Sequence, residues 1–499
     1  MESLKDFSKL TDLISEVENI NAASSVLSWD QNTFMPSLGS TGRGRQLATL
    51  GKIAHEKFTN SEIGMLLDKL KTFEKDSSYD SFESSYIRHV RKNYMKAVKV
   101  PSQLISEIIT NQSNSYEAWI KAKEQNNFKL VQPFLEKNLE LSKKYANCFE
   151  YNHIADPLID NYDSGFTTTK IKELFNQLQK ELIPFVKETL NYPQIDDSCL
   201  KKHYPLSLQE QFNKKLIEDL GYDFNRGRMD TTHHPFMISF SHGDVRITTR
   251  YQENFLAESL FSTIHETGHA FYELGNDISL DGTPLFGGTS SGVHESQSRL
   301  WENIVGRSYA FWEYFYPKLQ TFFPDQLNDV SLHEFYSAIN KVSNSLIRTD
   351  ADELTYNIHV MIRFDLELQM LEGNLKVKDL PEAWNSRYLS DLGMNVPSDS
   401  LGCLQDVHWF CGLIGGEFQG YTLGNIMSAQ FFEAAEKGNP LLSNEIKNGS
   451  FENLKKWLEK NLYQHGKKYN GLEVLKRATN KDLTIDPYMS YLKKKYPIK

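Results

Sequence analysis

Residues 264–269 read Ile-His-Glu-Thr-Gly-His, two imidazoles around a carboxylate at a spacing that chemistry can use. Residues four apart lie one above the other on a helix face, so His265 and His269 can offer two ring nitrogens to one tetrahedral cation. Glu266, one position on, projects beside such an ion. There it can take a proton from water attacking a carbonyl carbon and pass it to the leaving amine. The small or apolar flanks, Phe261, Ile264, Gly268, Ala270 and Phe271, predict a buried helix from about Phe255 to Leu274. Two histidines and a glutamate buried without a metal would be costly, so a metal site is favoured over a chance match on a solvated face.

A catalytic zinc takes three protein ligands and keeps one place open. The run Gly287-Gly288-Thr289-Ser290-Ser291-Gly292-Val293-His294-Glu295-Ser296 precedes a new helical period through Trp301, Ile304 and Val305. Glu295 is the expected third ligand. It follows His269 by 26 residues (295 minus 269), room for the first helix to end near Gly275, a loop to reverse and a second helix to return. His294 competes, but adjacent helical positions diverge by about 100°, so only one of the two can face the metal. Glu302 is expected as an outer partner or salt-bridge residue. The glycine run lacks a following Lys-Ser/Thr, which rejects a phosphate-binding loop.

The elements that must position these groups are mainly helical. From Leu4 to about Leu220 apolar residues recur at three- and four-residue spacing, with breaks at Met35-Pro36, Val100-Pro101 and Tyr192-Pro193. Between His233 and Tyr251 the period changes to two. Phe236, Ile238 and Phe240 alternate, Ser241-His242-Gly243-Asp244 turns, and Val245 and Ile247 resume, a β-hairpin pattern and the only clear strand pair. An edge strand there could hold an extended peptide through its backbone. Helices then continue to the end. With no linker, low-complexity tract or repeat, 1–499 reads as a single catalytic domain: a helical part about 1–220, a metal-site part about 221–430 and C-terminal helices about 431–499.

The 499 residues, 39% hydrophobic and 24% charged, describe a folded globular chain. A net charge of -10 opposes attraction to phosphate backbones, so nucleic acid is not an expected partner. Four cysteines without a CxxC pair argue for a reducing compartment. With a charged N-terminus and no apolar run of about 18 residues, the expectation is a cytoplasmic protein without a membrane partner.

Several ordered segments together resemble the carboxypeptidase Taq family of HExxH metallocarboxypeptidases. They are Trp29-Asp30-Gln31 with Met35-Pro36, His234-Pro235-Phe236, Asp244-Val245-Arg246-Ile247-Thr248-Thr249, the 265–269 motif and His294-Glu295-Ser296-Gln297. Ile347-Arg348-Thr349-Asp350-Ala351-Asp352, Gly402-Cys403-Leu404-Gln405-Asp406-Val407-His408-Trp409 and Tyr421-Thr422-Leu423-Gly424-Asn425 complete the set. The resemblance implies a large, two-lobed, neurolysin-like helical peptidase with a deep substrate groove and a small β-sheet beside the metal helix. It also implies a homodimer that releases single residues from peptide C-termini, with Glu295 completing the metal site.

Recognition of a terminal carboxylate suits an arginine fork, and Arg348 is the first choice. Arg246 is the second, unless Asp244 occupies it. Tyr421 or His234 would donate to the oxyanion of the tetrahedral intermediate. His408, in a polar cluster with Gln405 and Asp406, is expected on the groove wall. One divalent ion per chain is implied, zinc first, with cobalt or manganese also compatible with His-His-Glu. The sequence departs from the family pattern at 413–420, Leu-Ile-Gly-Gly-Glu-Phe-Gln-Gly, and at Asp350, where the family often has Glu. A peptidyl-dipeptidase or oligoendopeptidase on the same scaffold is the competing enzyme reading, and a catalytically silent helical peptide-binding protein is the non-enzymatic one.

Overall fold

The computed structural model describes residues 2–497, which are mainly helical, with one small sheet. Helix ends fall where backbone chemistry requires them. Helix Phe82–Lys99 stops before Pro101, whose fixed φ of -60° leads into helix Ser102–Glu124. The first helix, Glu2–Thr33, ends ahead of Pro36, and Thr168–Thr189 ends ahead of Pro193.

The sheet has three strands: β1 (Met229–Thr231), β2 (Met237–Ser241) and β3 (Asp244–Thr249), in the order β1-β3-β2. The β2–β3 hairpin is antiparallel, pairing Met237 with Ile247 and Ile238 with Arg246. β1 corrects the expectation of a lone strand pair, because it joins β3 in parallel. At three residues it is too short to display a period-two pattern. Val245 and Ile247 point into the core, while Thr249 binds the motif helix through hydroxyl contacts with Ser262 at 2.9 Å and Thr263 at 3.0 Å.

Two apolar clusters organise the interior. A smaller one gathers Leu10, Ile14, Ile63, Leu66 and Ile87 with Leu280 and Leu285, and a far larger one holds most of the remaining core. A groove of about 1890 Å³ is lined by residues from both halves of the chain. No helix among the described residues is long and apolar enough to cross a membrane.

Candidate metal centre

The motif helix, Leu256–Leu274, is buried along most of its length and closes at Gly275. Glu295 arrives on helix Ser291–Arg299, whose first turn is held twice. The Ser290 hydroxyl caps the Val293 amide at 3.2 Å, and buried Asp163 accepts from the Gly292 amide at 2.7 Å. The other Asp163 oxygen accepts from Gln419 Nε2 at 3.0 Å, tying in helix Gln419–Gly438. Two glycines admit the close approach. A Cβ on Gly268 would stand 2.6 Å from Gln297 O, and one on Gly424 would stand 2.7 Å from Glu295 Cβ and Cγ. Glu295 is therefore clasped between the motif helix and the helix carrying Gly424.

Ligating atoms of His265, His269 and Glu295 all lie within 4.8 Å of one another. Nε2 of His265 and of His269 stand 3.8 Å and 3.5 Å from Glu295 Oε2. These separations are long for hydrogen bonds. They approach the roughly 3.4 Å expected between ligands that each lie about 2.1 Å from one tetrahedral ion.

The outer partners fix the ring orientations. His265 Nδ1 lies 2.9 Å from Glu302 Oε2, while His269 Nδ1 lies 2.7 Å from His294 Nδ1 and His294 Nε2 lies 2.8 Å from Glu273 Oε1. With both Nε2 atoms offering lone pairs to a cation, one tautomer set satisfies every bond. His265 Nδ1–H donates to Glu302, His269 Nδ1–H donates to His294, and His294 Nε2–H donates to Glu273. The donor set fits a divalent ion.

The local field keeps Glu295 and Glu302 ionised. Burial opposes charge on Glu295, but Arg299, whose Nε lies 2.7 Å from Oε1, holds it well below the usual carboxylate range. Glu302 is likewise brought down to about 2 against its burial, by Arg299, His265 and Arg307. His269 is lowered to about 4, chiefly by burial, which keeps the ring neutral. Glu266, 6% exposed, is pushed up to about 7 by burial, with Glu295 and Glu302 adding to the rise. A general base is most effective when its pKa lies near the working pH.

Glu302 sits within a π-helical turn, Leu300–Val305, that continues the Glu295 helix, a departure from α geometry frequent at functional sites. Periodicity of Trp301, Ile304 and Val305 pointed to a helix there but not to its wider turn.

Arg348, 6% exposed, lines the same groove. Its Nε and Nη2 reach Asp406, with Nη2 at 2.8 Å from Oδ1, and Nη1 donates to Tyr356 OH at 2.8 Å. A guanidinium has five N–H donors, so one remains on each terminal nitrogen. Asp406 also pairs with fully buried Arg363, and the two cations hold its carboxyl far below the ordinary range against its burial.

Tyr421, on helix Gln419–Gly438, places its hydroxyl 3.3 Å from His408 Nε2. Both line the groove, as does His234 ahead of β2. The atypical 413–420 stretch runs as an irregular bend with Gly415 at a φ of 107°, enters helix Gln419–Gly438 with its last two residues, and leaves Tyr421 on the groove wall. Arg246 is not brought to the groove. Asp244 takes its fork in two 2.7 Å bonds, and its guanidinium stacks 4.4 Å above the Trp29 ring. Residues two apart on one strand share a face, and here that local ion pair wins. Sequence reasoning missed Glu273, Arg299 and Arg363, which carry no motif of their own.

A His-His-Glu cluster beside a buried glutamate, in a helical groove, defines an HExxH-type metallopeptidase. The family model of the carboxypeptidase Taq (M32) metallopeptidases matches residues 9–496, and the chain belongs to that family. It is 36% identical over 501 residues to thermostable carboxypeptidase 1 of Thermus thermophilus, covering 98% of each chain. Carboxypeptidase 1 of Bacillus subtilis is 36% identical over 487 residues, with 97% of each covered. The crystal structure of the M32 carboxypeptidase from Deinococcus radiodurans superposes with a TM-score of 0.96 at 43% identity, covering 99% of both chains. The protein is a metallocarboxypeptidase, a hydrolase.

Proposed function

We propose that this chain acts as a single catalytic unit that releases one amino acid at a time from peptides with a free C-terminal carboxylate. His265, His269 and Glu295 hold one divalent ion, zinc first, with cobalt or manganese compatible. When bound, the ion supplies Lewis acidity toward the scissile carbonyl and toward water. Glu266 takes the proton from the attacking water and delivers it to the leaving amine, a role its place in the groove beside the ligand triad supports. Arg348 receives the terminal carboxylate on its two unspent donors, held in place by Asp406 and Tyr356. Tyr421, its hydroxyl oriented by His408, and His234 donate to the developing oxyanion.

The single observation that carries this reading is the shared groove. Glu266 and a buried guanidinium with two free donors line it beside the ligand triad. Four free cysteines support a reducing, cytoplasmic setting, and the family resemblance supports a homodimer, which sedimentation would check.

The deciding experiment incubates a short unblocked peptide and its C-terminally amidated twin, each with and without chelator, followed by mass analysis. Loss of one residue from the free acid alone, abolished by chelator, is expected. Release of dipeptides or internal fragments would overturn the single-residue reading.

A further inference from the structure

The groove is electrically divided. The part built by residues 79–164 and 467–473 presents five cations, Arg88, Lys92, Lys96, Lys467 and Lys468, against two carboxylates, Asp160 and Glu473. The rest of the lining carries eight carboxylates against five cations, so in a chain of net charge -10 the positive wall is a local reversal.

Arg88, Lys92 and Lys96 are four residues apart on helix Phe82–Lys99, about one turn each, a row about 12 Å long on one face. Lys92 and Lys96 share a single carboxylate, Asp160, at 2.9 Å and 2.5 Å. Arg88, Lys467 and Lys468 form no ion pair among the described residues; Arg88 instead donates to Lys468 O at 2.9 Å and stacks on Tyr79. His89, set among them, is pushed down to about 3, chiefly by burial and further by Lys467, Lys92 and Arg88.

Of the two ligand histidines, His269 is the one whose contacts lead toward the wall. From His269 the contacts run through His294 to Glu273, and Glu273 Oε2 and Lys467 Nζ both stand 3.2 Å from where a Cβ on Gly287 would lie. From His265 they run the other way, through Glu302 and Arg299, which lies over the Tyr356 ring, to Arg348. Along the motif helix, Arg348 therefore adjoins the His265 end and the basic wall the His269 end.

We propose that this wall is a specificity surface for the upstream part of the substrate, so that the enzyme selects peptides with acidic residues on the amino-terminal side of the scissile bond. The direction rests on the proposed function, in which Arg348 holds the terminal carboxylate and the preceding residues must leave past His269. An extended peptide repeats its side chains on one face about every 6.6 Å, close to the spacing of a cation row with one residue per helical turn. Half-exposed charge pairs of this kind add modestly each, and two or three together give about a tenfold preference.

The test compares acetyl-Glu-Glu-Ala-Ala-Phe with acetyl-Lys-Lys-Ala-Ala-Phe, which present the same C-terminal residues. At low ionic strength the acidic peptide is expected to show a kcat/KM about tenfold higher, with the ratio collapsing toward one in 1 M salt, where screening acts over about 3 Å. Arg88→Gln combined with Lys467→Gln should reduce the ratio severalfold while leaving turnover of acetyl-Ala-Phe unchanged. Equal kcat/KM for the two peptides, or a preference untouched by the double substitution, overturns the proposal.

Equilibrium binding of the same two peptides to the Glu266→Gln protein reads the wall without turnover. If the wild-type protein releases no residue from any peptide, the proposed function fails. If acetyl-Ala-Phe is cleaved but both longer peptides bind equally, only the specificity inference fails.

Discussion

Nδ1 of His269 lies 2.7 Å from Nδ1 of His294, and that second imidazole is anchored by Glu273 at 2.8 Å. An imidazole thus occupies the place where a carboxylate or carbonyl commonly orients a metal-binding histidine. Replacing His294 with Phe keeps the ring's bulk and removes both bonds. Metal affinity should fall by about 10–100-fold, read by competition with a chromophoric chelator. Unchanged affinity would show that His269 needs no such support.

Glu266→Gln keeps the shape of the side chain and removes its basicity. Metal content should be unchanged while kcat falls at least about a hundredfold. Retained turnover would reject Glu266 as the proton acceptor.

Gly424 stands where a methyl group would meet Glu295 Cβ and Cγ at 2.7 Å. Gly424→Ala should therefore overpack the contact, destabilising the fold by roughly 1–3 kcal/mol and displacing the Glu295 carboxylate. Calorimetric titration with zinc should report weaker binding than the stability loss alone explains. Wild-type zinc affinity in the variant would mean that the helix yields instead.

Asp406 lies between Arg348 and Arg363. Asp406→Asn leaves two buried guanidinium groups without their counter-charge, a change worth roughly 3–5 kcal/mol of stability. KM should rise along with it, because Arg348 loses the partner that aims its free donors. A denaturant midpoint equal to wild type would contradict this account.

Glu367, buried beside Trp409, is pushed up to about 8, chiefly by burial and further by Glu417. Between its ordinary value of 4.5 and about 8 the native chain holds a proton that the unfolded chain has released. This contribution is complete below about 4.5 and disappears as pH rises through about 8, a decline of at most about 1.4 kcal/mol per pH unit. Glu367→Gln should flatten that decline in urea unfolding between pH 5 and pH 8.5. Parallel pH profiles for variant and wild type would rule it out.

Much of the site was legible because its determinants are local. The four-residue step from His265 to His269 sets a shared helix face whatever surrounds it, and a 26-residue return gave Glu295 the length to join them (295 minus 269). The hairpin was legible for the same reason, since alternation and a turn are properties of adjacent residues. β1 was not, because a three-residue strand is defined by its partner rather than by a pattern.

The competition for each charged group was decided elsewhere. On paper Arg348 was the first choice of fork and Arg246 the second. Asp244, two residues away on the same strand, occupies the first with both oxygens, while the second shares Asp406 with Arg363 and keeps two donors free. His294, read as a rival ligand, instead became the link between His269 and Glu273.

Helical spacing determines which side chains share a face, and that much belonged to the sequence by itself. Which distant carboxylate meets each cation depends on how helices far apart in the chain pack. Only the tertiary structure, with Gly268 and Gly424 admitting the Glu295 helix between them, decided it.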